Sequence, residues 1–174
     1  MLSRFAQILL TIAVITVVLA CAIVAGFYWA TGPAIGCQRT DEGPLEPGWS
    51  PRTVSSGGLD RCYYLYAPKK YEPMLPAPLV FSFHGFFSNP ASHALITGWH
   101  KLADEHGFLL VYPQGTEFPQ RWYSGEIWGP SPETDDVQFY HDMLTDVNRL
   151  TSVDPSRVYV NGFSNGGGMT VHLG

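Results

Sequence analysis

The chain has 174 residues, enough for one domain with a core of its own; 45% are hydrophobic, 14% are charged, and the formal net charge is −5. That composition excludes a disordered chain. Past residue 36 there are nine basic and fifteen acidic side chains, an excess that repels phosphate backbones and excludes a nucleic-acid partner.

From Phe5 to Gln38 there is no Asp, Glu, Lys or Arg, and Ile8–Ala30 is almost wholly apolar. A run of this length spans a bilayer as a helix. Arg4 in front of it favours a cytoplasmic N-terminus. The rival reading is a cleaved signal peptide, with Ala20-Cys21-Ala22 as the small-x-small site, or a lipoprotein site at Cys21. Cleavage there leaves IVAGFYWA as an apolar new terminus, so the uncleaved anchor is preferred. The anchor makes the membrane a partner through residues 8–30, and either reading puts the remaining chain outside the cytoplasm. Cys37 and Cys62 then sit where disulfides are allowed. They pair with each other, stay free, or pair with cysteines elsewhere; the sequence does not choose.

The domain organisation predicted is 1–30 as anchor or signal, 31–58 as a Gly-, Pro- and Ser-rich linker, and 59–174 as the folded domain. Arg61–Ala67 (RCYYLYA) predicts a strand. Leu79–His84 (LVFSFH) predicts a short buried strand. His93–His106 has helical spacing and ends at Gly107, where a C-terminal glycine is expected. Phe108–Tyr112 (FLLVY) predicts a further buried strand, stopped by Pro113. An irregular segment follows over 114–134. Asp136–Thr151 predicts an amphipathic helix, with Asp135 and Gln138 resembling a capping box. Arg157–Asn161 (RVYVN) predicts a last buried strand. Strands alternating with helices imply right-handed crossovers and a parallel sheet covered on both faces.

The last strand runs into Gly162-Phe163-Ser164-Asn165-Gly166, a G-x-S-x-G pattern before a helix-compatible stretch. In that context the chain turns sharply and lifts the serine hydroxyl above the C-terminal edge of the sheet. The glycines lack side chains that would collide across the turn. A serine hydroxyl is a weak nucleophile and needs a base, usually histidine, oriented by a carboxylate. It also needs N–H donors for the oxyanion. Asn165 N–H, just after the serine, is one candidate. Phe86 N–H in His84-Gly85-Phe86, on the loop after LVFSFH, is the other. His84 sits on the wrong loop to be the base; its alternative is a packed or substrate-lining residue. The bland reading of the whole pattern is a glycine-rich turn with an idle serine.

LVFSFHGFFSN, GWHKLADEHGFLLVYPQGT, DDVQFYHDML and VDPSRVYVNGFSNGGGM, in that order, resemble the polyhydroxybutyrate depolymerase and feruloyl esterase-like group of α/β-hydrolases, from about Arg61 to the last residue. The resemblance implies a three-layer α/β-hydrolase sandwich with a mostly parallel sheet. It implies a serine carboxylesterase acting outside the cytoplasm on polyester or plant-wall-type esters; no C-x-x-C and no His/Cys spacing suggests a metal site, and no cofactor is expected. Ser164 matches the nucleophile, and His84-Gly85-Phe86 matches the oxyanion loop. Asp135-Asp136-Val137 matches a supporting motif, not the triad acid. Phe86-Phe87 stands where many members have smaller residues, and three glycines follow Asn165 where many have two.

In this fold the triad acid and histidine follow the nucleophile in the chain. Here no Asp or Glu follows Ser164, and His172 is the sole later histidine. The expectation is a sheet incomplete at its C-terminal side, a triad without acid and histidine, and low activity for these residues alone. Trp122, Tyr123 and Trp128 in the irregular segment are candidate substrate-stacking rings; the alternative is that they pack on the sheet end. His93, His100, His106 and His141 fall on predicted helices and read as packing or solvated residues. A second functional class stays open: a membrane-tethered module that binds an ester-bearing polymer without cleaving it.

Overall fold

The computed structural model describes residues 4–35, 44–117, 119–123 and 135–174. The chain divides into two compact units, Met1–Ile35 and Gly36–Gly174. The first is one helix, α1 (Arg4–Ile35). Within it Ala6–Val24 is long and apolar enough to cross a membrane. Side chains such as Ile8, Val17 and Val24 are all more than half exposed, so Ala6–Val24 has no buried face of the kind that a core helix shows.

The second unit holds a five-stranded sheet in the order β1-β2-β4-β3-β5. Its strands are β1 (Gly48–Ser56), β2 (Leu59–Ala67), β3 (Ala77–Phe83), β4 (Leu109–Pro113) and β5 (Val153–Gly162). β1 pairs antiparallel with β2 and β2 antiparallel with β4, whereas β3 is parallel to both β4 and β5. The sheet is therefore mixed, with the parallel strands β4, β3 and β5 on one side. The strand that the sequence did not signal is β1, inside the 31–58 stretch expected to be a linker. Pro51 and its polar neighbours hide the strand signal, and Pro is tolerated there because β1 pairs only with β2 among the described strands. Gly57 (φ 59°) and Gly58 (φ 82°) form the two-residue turn between Ser56 and Leu59. Two positive φ angles in succession make the turn whose twist suits a hairpin.

The helices are α2 (Pro90–Thr97), α3 (Trp99–His106), α4 (Asp136–Leu150) and α5 (Asn165–Leu173). The single helix expected over 93–106 is split by Gly98, which caps α2 in the left-handed region at φ 62°. Gly107 ends α3 at φ 73°, as its position predicted. Asp135 caps α4 by accepting from Gln138 N–H at 2.8 Å. Only half of the expected capping box forms, because the Gln138 side chain turns to Asp142 instead.

Alternation along the strands builds the layers. Leu79, Phe81 and Phe83 of β3 and Leu109 and Val111 of β4 face Phe139, Met143 and Val147 of α4 and Met169 of α5. Val80, Leu110 and Tyr112 face Ala94 of α2 and Ala103 of α3. Fully burying each such large side chain stabilises by about 1.5–3 kcal/mol. The crossovers β3–β4 and β4–β5 place β4 and β5 on opposite sides of β3. Such a reversal opens a crevice at the carboxyl ends of the strands. β3 and β5 both end there, at Phe83 and Gly162. Cys62 of β2 is disulfide-bonded, and Cys21 is free; Cys37 lies outside the described residues.

Candidate active site

Ser164 sits between β5 and α5 with φ 52° and ψ −115°. A non-glycine residue at positive φ carries strain of order 1 kcal/mol or more, held only by its surroundings. Those surroundings are glycines. A Cβ on Gly162 would lie 2.2 Å from the Gly166 carbonyl oxygen, and one on Gly166 would lie 2.2 Å from that of Phe83. Neither position tolerates a side chain without backbone movement. The turn is held further by Gly166 N–H to Phe163 O at 2.9 Å and Phe163 N–H to Phe83 O at 3.1 Å. Ser164 is solvent-exposed.

The loop after β3 lies against this turn. A Cβ built on Gly85 would meet Phe163 Cδ1 at 3.1 Å and Ser164 Cβ at 3.6 Å. The structure thus brings together Ser164 and the His84-Gly85-Phe86 loop expected from sequence. Asn165 is the first residue of α5, so its N–H has no carbonyl four residues earlier within the helix. The N-terminal end of α5 also favours negative charge.

His84 departs from the substrate-lining role considered for it. Its side chain is fully buried. Gly115 N–H donates to Nε2 at 3.0 Å. The proton therefore resides on Nδ1, which donates to the Gly85 carbonyl 2.8 Å away. Burial pushes its pKa down to about 4, and the Gly85 hydrogen bond opposes that only partly. A neutral imidazole with both nitrogens engaged is not a general base. Trp122 departs as well: it is fully buried, packed edge-on against Phe83 with ring centroids 5.1 Å apart. It has no face to offer a substrate. The bulk of an indole at the end of the sheet is better buried than exposed, and its N–H finds a partner in the His84 carbonyl. Tyr123 is partly exposed; its hydroxyl donates to Glu117 at 2.5 Å and accepts from Arg121. Trp128 lies outside the described residues.

Four features escaped the sequence. The Asn165 side chain is buried and bonds both the N–H (2.7 Å) and the carbonyl (2.9 Å) of Trp122. Gly115 passes so close to Arg121 that a Cβ would sit 2.5 Å from its carbonyl oxygen. Asp136 is buried in an ion pair with Arg61 at 2.7 Å and accepts from Tyr123 N–H at 2.7 Å. His93, expected to pack or be solvated, bridges to Ser82 Oγ at 3.0 Å; Ser82 in turn donates to Asn161 at 2.8 Å. Burial pushes His93 down to about 4. Only Asp136 had a signal, as part of the supporting Asp-Asp-Val motif.

No family model matches the chain. The chain is 35% identical over 115 residues to a bifunctional acetylxylan esterase/xylanase of Neocallimastix patriciarum, covering 66% of this chain and 16% of that protein. It is 30% identical to feruloyl esterase B of Piromyces equi, covering 56% of this chain and 18% of that one. It is 28% identical to a poly(3-hydroxybutyrate) depolymerase of Ralstonia pickettii, covering 72% and 28%. The chain thus spans less than a third of the length of each of these relatives. Among solved structures, an acetyl xylan esterase from Aspergillus awamori superposes with a TM-score of 0.58 at 19% identity, over 71% of this chain and 46% of that one. The fold is that of the α/β-hydrolases, and the chain's sequence kinship is with the polyhydroxybutyrate depolymerase and feruloyl esterase-like group of their esterases.

Proposed function

We propose that the folded unit is the nucleophile-bearing part of a serine carboxylic-ester hydrolase acting outside the cytoplasm on polyester or feruloyl-like esters. One observation carries this: an exposed serine at φ 52°, on a strand-to-helix turn that admits only glycine on either side, against the loop after β3. That geometry supports a nucleophilic role, since the hydroxyl is exposed and makes no capping hydrogen bond to α5. Ser164 Oγ attacks the ester carbonyl. Phe86 and Asn165 N–H receive the oxyanion. The alcohol leaves with a proton, and water then attacks the acyl-serine.

The histidine and acid that activate Ser164 are assigned to residues outside positions 1–174. In support, His84 has both ring nitrogens engaged, and His172 is exposed near the end of α5. We expect residues 1–174 alone to be poor catalysts, because removing the base from such a triad costs orders of magnitude. Placement outside the cytoplasm rests on α1, as anchor or signal, and on the disulfide at Cys62.

The test is hydrolysis of feruloyl, acetyl and oligo-hydroxybutyrate esters by the full-length protein expressed from its natural gene. Ser164→Ala is expected to abolish turnover of whichever ester is cleaved. Turnover that survives the substitution refutes the assignment. Tight polymer binding without any turnover favours the non-catalytic module.

A further inference from the structure

Trp122 touches both loops that carry the proposed oxyanion donors. Its backbone N–H and carbonyl pair with the two ends of the Asn165 side-chain amide at 2.7 and 2.9 Å. Its indole N–H donates to the His84 carbonyl at 2.8 Å. The His84 ring lies beneath the indole, with centroids 4.9 Å apart. It extends the constraint by one peptide, since Nδ1–H holds the Gly85 carbonyl at 2.8 Å. A trans peptide is planar, and its carbonyl and the next N–H point opposite ways. Fixing the Gly85 carbonyl therefore fixes the direction of Phe86 N–H. Ser88 N–H bonds the same carbonyl at 3.2 Å, and Phe87 N–H bonds the Gln120 carbonyl at 2.9 Å. The loop is thus tied to the 115–122 segment at three places: Gly115, Gln120 and Trp122.

We propose that Trp122 is a positioning residue that aims both oxyanion donors together, gripping Asn165 by its backbone and the Phe86 peptide through His84. The indole is fully buried, and its one donor reaches the carbonyl of His84, where the loop after β3 begins. The imidazole must be neutral and in the Nδ1–H form for the chain of contacts to hold. Gly115 N–H enforces that form by occupying Nε2. The 115–122 segment is thereby part of the machinery without touching substrate. This inference rests on the esterase reading above.

The experiment is steady-state hydrolysis of p-nitrophenyl acetate by the full-length protein. Trp122→Phe keeps a ring and loses the indole donor. Its kcat is expected to fall roughly 10- to 100-fold, with KM unchanged within about twofold, because an oxyanion contact acts on the transition state. At position 84, Asn places an amide N–H near Nδ1, whereas Gln keeps an acceptor for Gly115 and fills more of the space. Positioning predicts that His84→Asn retains more kcat than His84→Gln. A packing role predicts the reverse order, and that order overturns the proposal. Wild-type kcat in both Trp122→Phe and His84→Gln, or a rise in KM alone, overturns it too. If Trp122→Phe fails to fold, the ranking of the two His84 variants decides. The two readings separate on one control: if Ser164→Ala abolishes hydrolysis while Trp122→Phe leaves kcat intact, only the positioning claim falls. If wild-type hydrolysis does not depend on Ser164, both fall.

Discussion

Two regions shape the surroundings of Ser164 by opposite means. The β5–α5 turn is shaped by missing atoms: Gly162 and Gly166 leave gaps that backbone carbonyls fill at 2.2 Å from where a Cβ would stand. The 115–123 segment is shaped by added contacts: Trp122, His84, Asn165 and Asp136 are buried polar or amphipathic side chains joined by hydrogen bonds. The first kind of precision is steric and insensitive to pH. The second depends on protonation states and on every partner being present. A site built both ways should fail differently depending on which half is damaged.

The largest stability loss is expected on the polar side. Asp136→Ala leaves Arg61 buried without its partner and Tyr123 N–H without its acceptor. Breaking one half of a buried pair costs about 3–5 kcal/mol, read as a lower midpoint in urea. On the steric side, Gly166→Ala drives a methyl into two backbone carbonyls. Overpacking of that kind costs about 3 kcal/mol, and the same urea titration measures it.

Acid separates the halves more finely. His84 and His93 are held neutral in the folded state, each with its pKa pushed down to about 4 from 6.5. The unfolded chain therefore binds more protons between those values. Stability falls as pH drops from about 6.5 towards 4, by about 1.4 kcal/mol per pH unit for each histidine. Below about 4 neither histidine adds further loss. Replacing His93 with Gln should flatten this dependence by half; an unchanged slope in the variant argues against a neutral His93. The smallest effect is expected at Asp135→Ala, which removes the cap of α4 and costs about 1 kcal/mol.

The steric half was legible in the sequence and the polar half was not. G-x-S-x-G after a run such as RVYVN has a local cause, since glycine spacing and strand propensity sit within ten residues. His84-Gly85-Phe86 was legible for the same reason, as the end of an apolar run. Trp122 lies 43 positions before the Asn165 that grips it, and no local pattern encodes that pairing. The aromatic density around it suggested a binding surface, but burial decided otherwise. β1 was missed through its proline and polar residues, although the Gly57–Gly58 pair that ends it is a hairpin signal when read as one. Gly98 interrupts an otherwise periodic stretch, and a lone glycine in a helical pattern gives no sign of whether it is tolerated or breaks the helix. The charge-free N-terminal run was plain because uniform apolarity over that length leaves few alternatives.

The central claim is that Ser164 presents an activated alcohol at the rim of the sheet. A fluorophosphonate probe, followed by peptide mapping of the full-length protein, tests it most directly. One adduct is expected, on Ser164, and none on the Ser164→Ala protein. Equal labelling of the two proteins, or an adduct on a different residue, would contradict it.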